Sequence, residues 1–384
     1  MSWLNTDPME QKIAFITQAQ ELPKGAMSEL CRQFGISRKT AYKWRQRYRQ
    51  EGGVRALQER SRRPWRSPRR TQGLLEERIL ALRQPDGWGA RKIAYLLWQE
   101  GWKVSMATVH RVLLRHGQVH KIDQHNLAPS RFERTQPNEL FQVDFKGPMG
   151  RSGVKDEPLS VLDDHSRYGA GLYAMRDHCW ERVRDCFIDV FERCGKPRQM
   201  LMDHGTPWWA NQNGWGLSRL SVFLIEQDID LIFGRVCHPQ TQGKVERFHR
   251  TLARSMVKQG FPTQWDQWQG RYEGFLDRYN YVRPHEALAM QTPAQRYRRS
   301  ERVYQSQTVS WQYPEGCKVL RVDANGMIRW ECHRYFVCEA LIDHQVAAEQ
   351  IGGELLVRFR HMYLRQIDLE SGHTSGFIHP VNDL

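Results

Sequence analysis

Apolar positions keep a helical period from the N-terminus to about residue 117. They then alternate between strand-like runs and amphipathic helices to about residue 300, and turn strand-rich again to the end. Ile13, Phe15, Ile16 and Ala19 make a first helical stripe, broken by Pro23 to Gly25. Residues 27–34 predict a short helix. Gly35-Ile36-Ser37 predicts a tight turn with Ser37 as N-cap, and residues 38–48 predict a second, strongly basic helix. Helix, glycine-containing turn and basic helix is the pattern of a helix-turn-helix, whose second helix enters a DNA major groove. Arg38, Lys39, Thr40, Tyr42 and Lys43 are its candidate contacts.

The helical theme returns over 73–117. Leu74, Leu75, Ile79 and Leu82 form one stripe, residues 89–97 begin another helix, and Ser105 caps a third over 105–115. This predicts a second helix-turn-helix. Between the two, residues 61–72 hold two prolines and no periodicity, so they form a basic linker. Its Arg62, Arg63 and Arg66 suit phosphates or a minor groove. Residues 118–137 are a polar connector ending in Pro137.

From residue 138 to 300 the pattern reads strand (140–145), strand (158–163), strand (168–174), helix (181–194), strand (198–203), helix (217–227), strand (229–233) and helix (242–257). The turn at 164–167 suits a hairpin between the second and third strands. Three strands followed by alternating helices and strands predict an α/β sheet whose early strands are antiparallel, which fits an RNase H-like fold. Past residue 301, residues 317–322 and 327–330 flank Asp323-Ala324-Asn325-Gly326, a strong hairpin signal. Gly352-Gly353 opens a further strand, and a small C-terminal β-barrel is expected. The fold class is therefore multidomain: helix-turn-helix modules at 1–60 and 73–117, an α/β core at 138–300 and a β-rich domain at 301–384.

Charge narrows the function. Lys and Arg number 57 against 43 acids, a net charge of +14. Such an excess favours a polyanion, and nucleic acid is the expected one. The eight cysteines form no Cys-x-x-Cys pair, which argues against zinc. No apolar run is long enough for a membrane helix, and no signal peptide is visible, so a cytoplasmic, nucleoid-associated location is expected.

The candidate chemistry lies in three acids. Asp144 and Asp203 each close an apolar strand, and Glu246 opens an amphipathic helix. In the first strand Phe141, Val143 and Phe145 point one way and Gln142, Asp144 and Lys146 the other. An aspartate in such a run is costly to bury unless it meets a cation. Carboxylates from two strands and a helix make an all-oxygen site suited to Mg²⁺, and two such ions serve phosphoryl transfer. Arg250 stands one turn beyond Glu246. His238, Gln240, Lys244 and His249 flank Glu246 and are candidate DNA contacts. His204 is a candidate for metal or phosphate. Trp208 and Trp209 suit either stacking on an unpaired base or packing. Asp163 and Asp164 are expected to cap the hairpin.

The segment 238–250, His-Pro-Gln-Thr-Gln-Gly-Lys-Val-Glu-Arg-Phe-His-Arg, together with the Asp144 and Asp203 strands, resembles the integrase core of bacterial insertion-sequence transposases. These belong to the DDE superfamily that includes retroviral integrases. Asn280-Tyr281-Val282-Arg283-Pro284-His285-Glu286-Ala287-Leu288 resembles the closing segment of such cores. The resemblance covers essentially the whole chain. It implies that Asp144, Asp203 and Glu246 are a catalytic triad binding two Mg²⁺ (or Mn²⁺) ions. It also implies end cleavage and strand transfer on terminal inverted repeats, double-stranded DNA as partner and a homo-oligomer, dimer or higher. Two departures stand out. Asp203 and Glu246 are 43 positions apart, a long interval whose extra length falls around 208–216, and the N-terminus lacks a His/His/Cys/Cys pattern. The competing expectations are an inactive DNA-binding regulator and an RNase H-like nuclease that cuts without joining.

Overall fold

The computed structural model describes residues 7–23, 25–60, 70–119, 133–151, 153–210, 216–234, 243–307 and 310–380. The chain divides into two compact units, Met1–Arg70 and Thr71–Leu384.

In the first unit, α1 (Pro8–Gln20), α2 (Met27–Gln33) and α3 (Arg38–Glu51) enclose Phe15, Ile16, Leu30, Ala41 and Trp44. Ser37 caps α3, its hydroxyl accepting from the Thr40 N–H at 3.2 Å. The buried stripe of α1 is Lys12, Phe15, Ile16 and Ala19, and Ile13 turns outward. Lys12 enters the core because its stem packs while its ammonium lies 4.1 Å from the Trp44 ring centre and donates to Glu59 at 2.9 Å.

The second unit begins with three helices, α4 (Gly73–Arg83), α5 (Ala90–Gln99) and α6 (Met106–Arg115). Ile79, Ile93, Leu97, Val109 and Val112 make their core. Ser105 caps α6 as Ser37 caps α3, again accepting from a threonine N–H three residues on, at 3.2 Å.

The α/β core follows. Its strands are β1 (Leu140–Phe145), the hairpin β2 (Met149–Arg151) and β3 (Val154–Asp156), β4 (Leu159–Asp163) and β5 (Gly169–Tyr173). Then come α7 (Trp180–Cys194), β6 (Gln199–Met202), the short pair β7 (Trp209–Ala210) and β8 (Gly216–Leu217), α8 (Arg219–Glu226), β9 (Asp230–Phe233), α9 (Gly243–Gln259), α10 (Gln267–Asp277) and α11 (Pro293–Arg296). The main sheet has the order β5-β4-β1-β6-β9. β4 is antiparallel to β1 and β5, while β6 and β9 run parallel to β1. Phe141, Val143 and Met200 pack under α7 and α8, and α9 and α10 cover the opposite face. The alternation read in β1 is therefore the two-sided alternation of a central strand.

The C-terminal region forms β10 (Lys318–Arg321), β11 (Met327–Trp330), β12 (His333–Phe336), β13 (Gln345–Ile351), β14 (Glu354–Phe359), β15 (Met362–Asp368) and β16 (Thr374–Pro380). Two expectations are corrected here. Among the described residues the five-stranded sheet β10-β13-β14-β15-β16 does not close into a barrel, because its edges β10 and β16 do not pair. Its apolar face is instead continuous with the core beside α8. The Asn325-Gly326 turn forms, with the Gly326 N–H donating to Asp323 at 2.9 Å, yet its flanking strands do not pair as a hairpin. β10 pairs with β13 and β11 with β12.

Candidate active site

Asp144 ends β1 on the face covered by α9, Asp203 follows β6 on the adjacent parallel strand, and Glu246 lies in the first turn of α9. Asp144 is largely buried, with its side chain 22% exposed, while Asp203 and Glu246 are exposed. Burial raises the Asp144 carboxyl to about 7, and the like charges of Asp203 and Glu246 push in the same direction. The three acids therefore share one electrostatic field. Among the described residues, however, no three His, Cys, Asp or Glu side chains converge closely enough to hold an ion between them.

Each acid has its own supports. Asp203 Oδ1 accepts from the Gly205 N–H at 2.9 Å and from the Trp208 indole N–H at 2.8 Å. Trp208 is buried and stacks on Phe145 with ring centres 5.0 Å apart. This tryptophan therefore packs in the core and does not present a face for a base. Trp209 is half-buried against His204 and Phe233. His249 is buried too. Its Nδ1 lies 3.6 Å from Asp144 and its Nε2 2.9 Å from the Ser160 hydroxyl, with burial driving it down to about 3, so it is neutral. His249 sits behind Asp144 and is buried.

Glu246 is placed by a buried amide. Gln142, two residues before Asp144, accepts from the Val245 N–H at 3.2 Å and donates to Asp164 Oδ1 at 2.8 Å. The same Asp164 oxygen pairs with Lys244 Nζ at 2.6 Å. Strand β1, the β4–β5 turn and the start of α9 are thus tied at one point. Asp163 caps the turn, accepting from the N–H groups of Asn138 and Ser166. Reading Gln142 as merely polar in a strand missed this role. The signal was a polar residue at a position that alternation already assigned to the Asp144 face. Lys244, expected on DNA, is held by Asp164, while Arg250 is exposed. His238 and Gln240 lie outside the described residues.

On α3, Arg38, Lys39, Tyr42 and Lys43 are exposed on one face, and Thr40 is half-buried beside its cap. Ala41 and Trp44 point inward, so the helix divides as a groove-reading helix should. Arg62, Arg63 and Arg66 of the linker lie outside the described residues.

Sequence comparisons match three stretches of the chain. Residues 227–293 match the model of an integrase core domain. Residues 11–64 match a helix-turn-helix domain and residues 40–113 a homeodomain-like domain. Over 272 residues, covering 62% of this chain, it is 24% identical to the transposase for transposon Tn552 of Staphylococcus aureus. Part of the chain thus matches an integrase core domain, and a longer stretch is similar to a transposase. The chain spans 54% of that curated relative's length. Solved structures resemble it only weakly. The HTLV-2 integrase catalytic core domain in complex with magnesium is 15% identical, with a TM-score of 0.34 over 43% of this chain and 99% of that one. The core domain of BIV integrase is 20% identical, with a TM-score of 0.33 over 42% and 93%.

Proposed function

We propose that this chain is a DNA transposase that binds the terminal inverted repeats of an insertion sequence, cuts the element's ends and joins them to target DNA. The observation that carries the reading is the grouping of Asp144, Asp203 and Glu246, in which burial, with the like charges of the other two acids, drives the Asp144 carboxyl to about 7. A cluster of carboxylates that penalises its own ionisation is a cluster lacking a countercharge. Three carboxylates are also hard oxygen donors, so the set fits Mg²⁺ or Mn²⁺ in kind. Asp144, Asp203 and Glu246 would hold the ions, two per site. When bound, these ions activate water or a 3′-hydroxyl and neutralise the leaving oxygen in an in-line displacement.

The protein's own residues supply position. Trp208 and the Gly205 N–H hold Asp203, and Gln142, Asp164 and Lys244 fix the start of α9 behind Glu246. The exposed face of α3 supplies Arg38, Lys39, Tyr42 and Lys43 for reading the element's ends. No covalent protein–DNA intermediate is required, because positioning and charge neutralisation carry such a displacement. Joining two ends to one target calls for a dimer or larger assembly. No helix among the described residues is long and apolar enough to cross a membrane.

That no three His, Cys, Asp or Glu side chains converge among the described residues favours a second reading, a DNA-binding regulator whose core does not cut. One experiment separates the two. The protein is incubated with DNA flanking its own gene, with Mg²⁺ or Mn²⁺, beside Asp144→Asn. Cleavage at the ends with joined products, both lost in the variant, is expected. Specific binding with no metal-dependent cutting would leave the regulator. Cutting without joined products would leave a nuclease.

A further inference from the structure

The three-helix domain α4–α6 is fixed to the catalytic core through Asp86, in the loop before α5. Asp86 Oδ1 accepts from the Ser255 hydroxyl of α9 at 2.6 Å, and its Oδ2 from Arg278 Nε at 3.3 Å. Gly87, at φ +67°, lies so close to Lys258 that a Cβ there would meet Lys258 Cε at 2.9 Å. The loop before α5 therefore packs on the second half of α9, the helix that carries Glu246.

Positive charge collects along this seam. Lys92 of α5 is crowded by Arg283, Arg247 and Arg254. The two nearby acids are already engaged, Asp86 with Arg278 and Glu286 with Arg91 at 3.7 Å. Among the described residues, no carboxylate stands within ion-pair distance of Lys92, Arg247, Arg254 or Arg283. Arg283 Nε is buried without a hydrogen-bond partner. Burial, with these neighbouring cations, lowers Lys92 to about 8. Four gathered cations with no acid in ion-pair contact are unfavourable in the isolated chain and become favourable when an anion binds.

We propose that this seam is a phosphate clamp, in which Lys92, Arg247, Arg254 and Arg283 hold the sugar-phosphate backbone of a DNA duplex passing from the second helix-turn-helix to the catalytic acids. The proposal rests on the transposase reading and adds a site to it. The length of the seam favours a duplex over a small anion. Arg247 and Arg254 are seven residues apart on one face of α9, about 10 Å. A duplex carries one charge per about 1.7 Å of its axis, so several phosphates lie within that reach. Arg247 adjoins Glu246, and Arg254 lies about 12 Å beyond it along the helix, so a backbone lying here runs toward the acids.

The test uses the full chain and a labelled duplex of arbitrary sequence, with affinity measured by anisotropy across a salt series. Each phosphate contact contributes about 0.9 to the slope of log affinity against log salt. Lys92→Gln/Arg254→Gln should lower that slope by about 2 and weaken binding on the order of tenfold or more at moderate salt. Lys92→Arg/Arg254→Lys should keep it. Arg198→Gln/Arg219→Gln, the same charge change at exposed positions off the seam, should leave it unchanged. An unchanged slope in a seam variant that melts like the parent overturns the clamp. So does an equal loss in the Arg198/Arg219 variant, which would mean a general charge effect. Failure of the parent chain itself to bind duplex would instead sink the transposase reading.

Discussion

Trp208 donates its indole N–H to Asp203 Oδ1 at 2.8 Å while its ring stacks on Phe145, one residue beyond Asp144. One buried side chain thus touches the supports of two of the three acids. Trp208→Phe keeps the ring and removes the donor. A residue holding a metal ligand from behind typically matters 10–100-fold. Cleavage by Trp208→Phe should fall by about that factor, recovering in part at higher Mg²⁺. Full activity at the parental Mg²⁺ dependence would remove Trp208 from the machinery.

Asp144 sets activity against stability. Its carboxyl titrates near 7 in the folded chain, well above its ordinary 3.8, because burial and two like charges disfavour the anion. The folded state therefore holds a proton that the unfolded chain has released, and stability falls as pH rises from about 4 through 7. Asp144→Asn removes that penalty. Without divalent metal at pH 8 the variant should melt higher, by the equivalent of roughly 1–4 kcal/mol, while losing cleavage altogether. A variant melting below the parent would show that the buried Asp144 carboxylate is not penalised in the fold.

How much of this was legible in the sequence follows from what each signal measures. The β1 alternation revealed which face Asp144 occupies, because a period of two survives in any central strand. Ser37 and Ser105 announced their helices, because a cap acts within three residues. Gln142, Trp208 and His249 were not legible as supports. Their partners Val245, Asp203 and Asp144 are brought to them by the sheet order, which local pattern does not encode. Pairing in the C-terminal sheet failed for the same reason: Asn325-Gly326 fixes a turn, and the partner of β10 lies beyond it in β13. Lys12 displaced Ile13 from the α1 stripe because the Trp44 face and Glu59 compensate a buried ammonium.

The two faces of α3 should separate under mutation. Tyr42→Ala and Lys43→Gln lie on its exposed side, and each should weaken DNA binding several-fold with little change in melting. Trp44 is 2% exposed beneath Lys12, Lys43 and Arg47. Trp44→Ala should cost about 3–5 kcal/mol and unfold the first unit, seen as loss of protection from protease. Equal loss of binding from all three without unfolding would place the groove-reading face elsewhere.

His285 gives the chain an acid limit that does not depend on the acids of the site. It is buried against Tyr279, ring centres 4.8 Å apart. Burial, with the positive charges of Arg283, Lys92 and Arg167, lowers it to about 2. The folded chain therefore keeps it neutral while the unfolded chain takes up a proton below about 6.5. Its contribution is complete above that pH and is lost as pH falls, by at most about 1.4 kcal/mol per unit. His285→Gln retains the backbone bonds from His285 to Gln291 and from Leu288 to His285 and cannot titrate. Between pH 6.5 and 4.5 its denaturant midpoint should fall less steeply than the parent's, even if it starts lower through lost packing. Parallel pH profiles for the two proteins would mean that His285 is not held neutral in the fold.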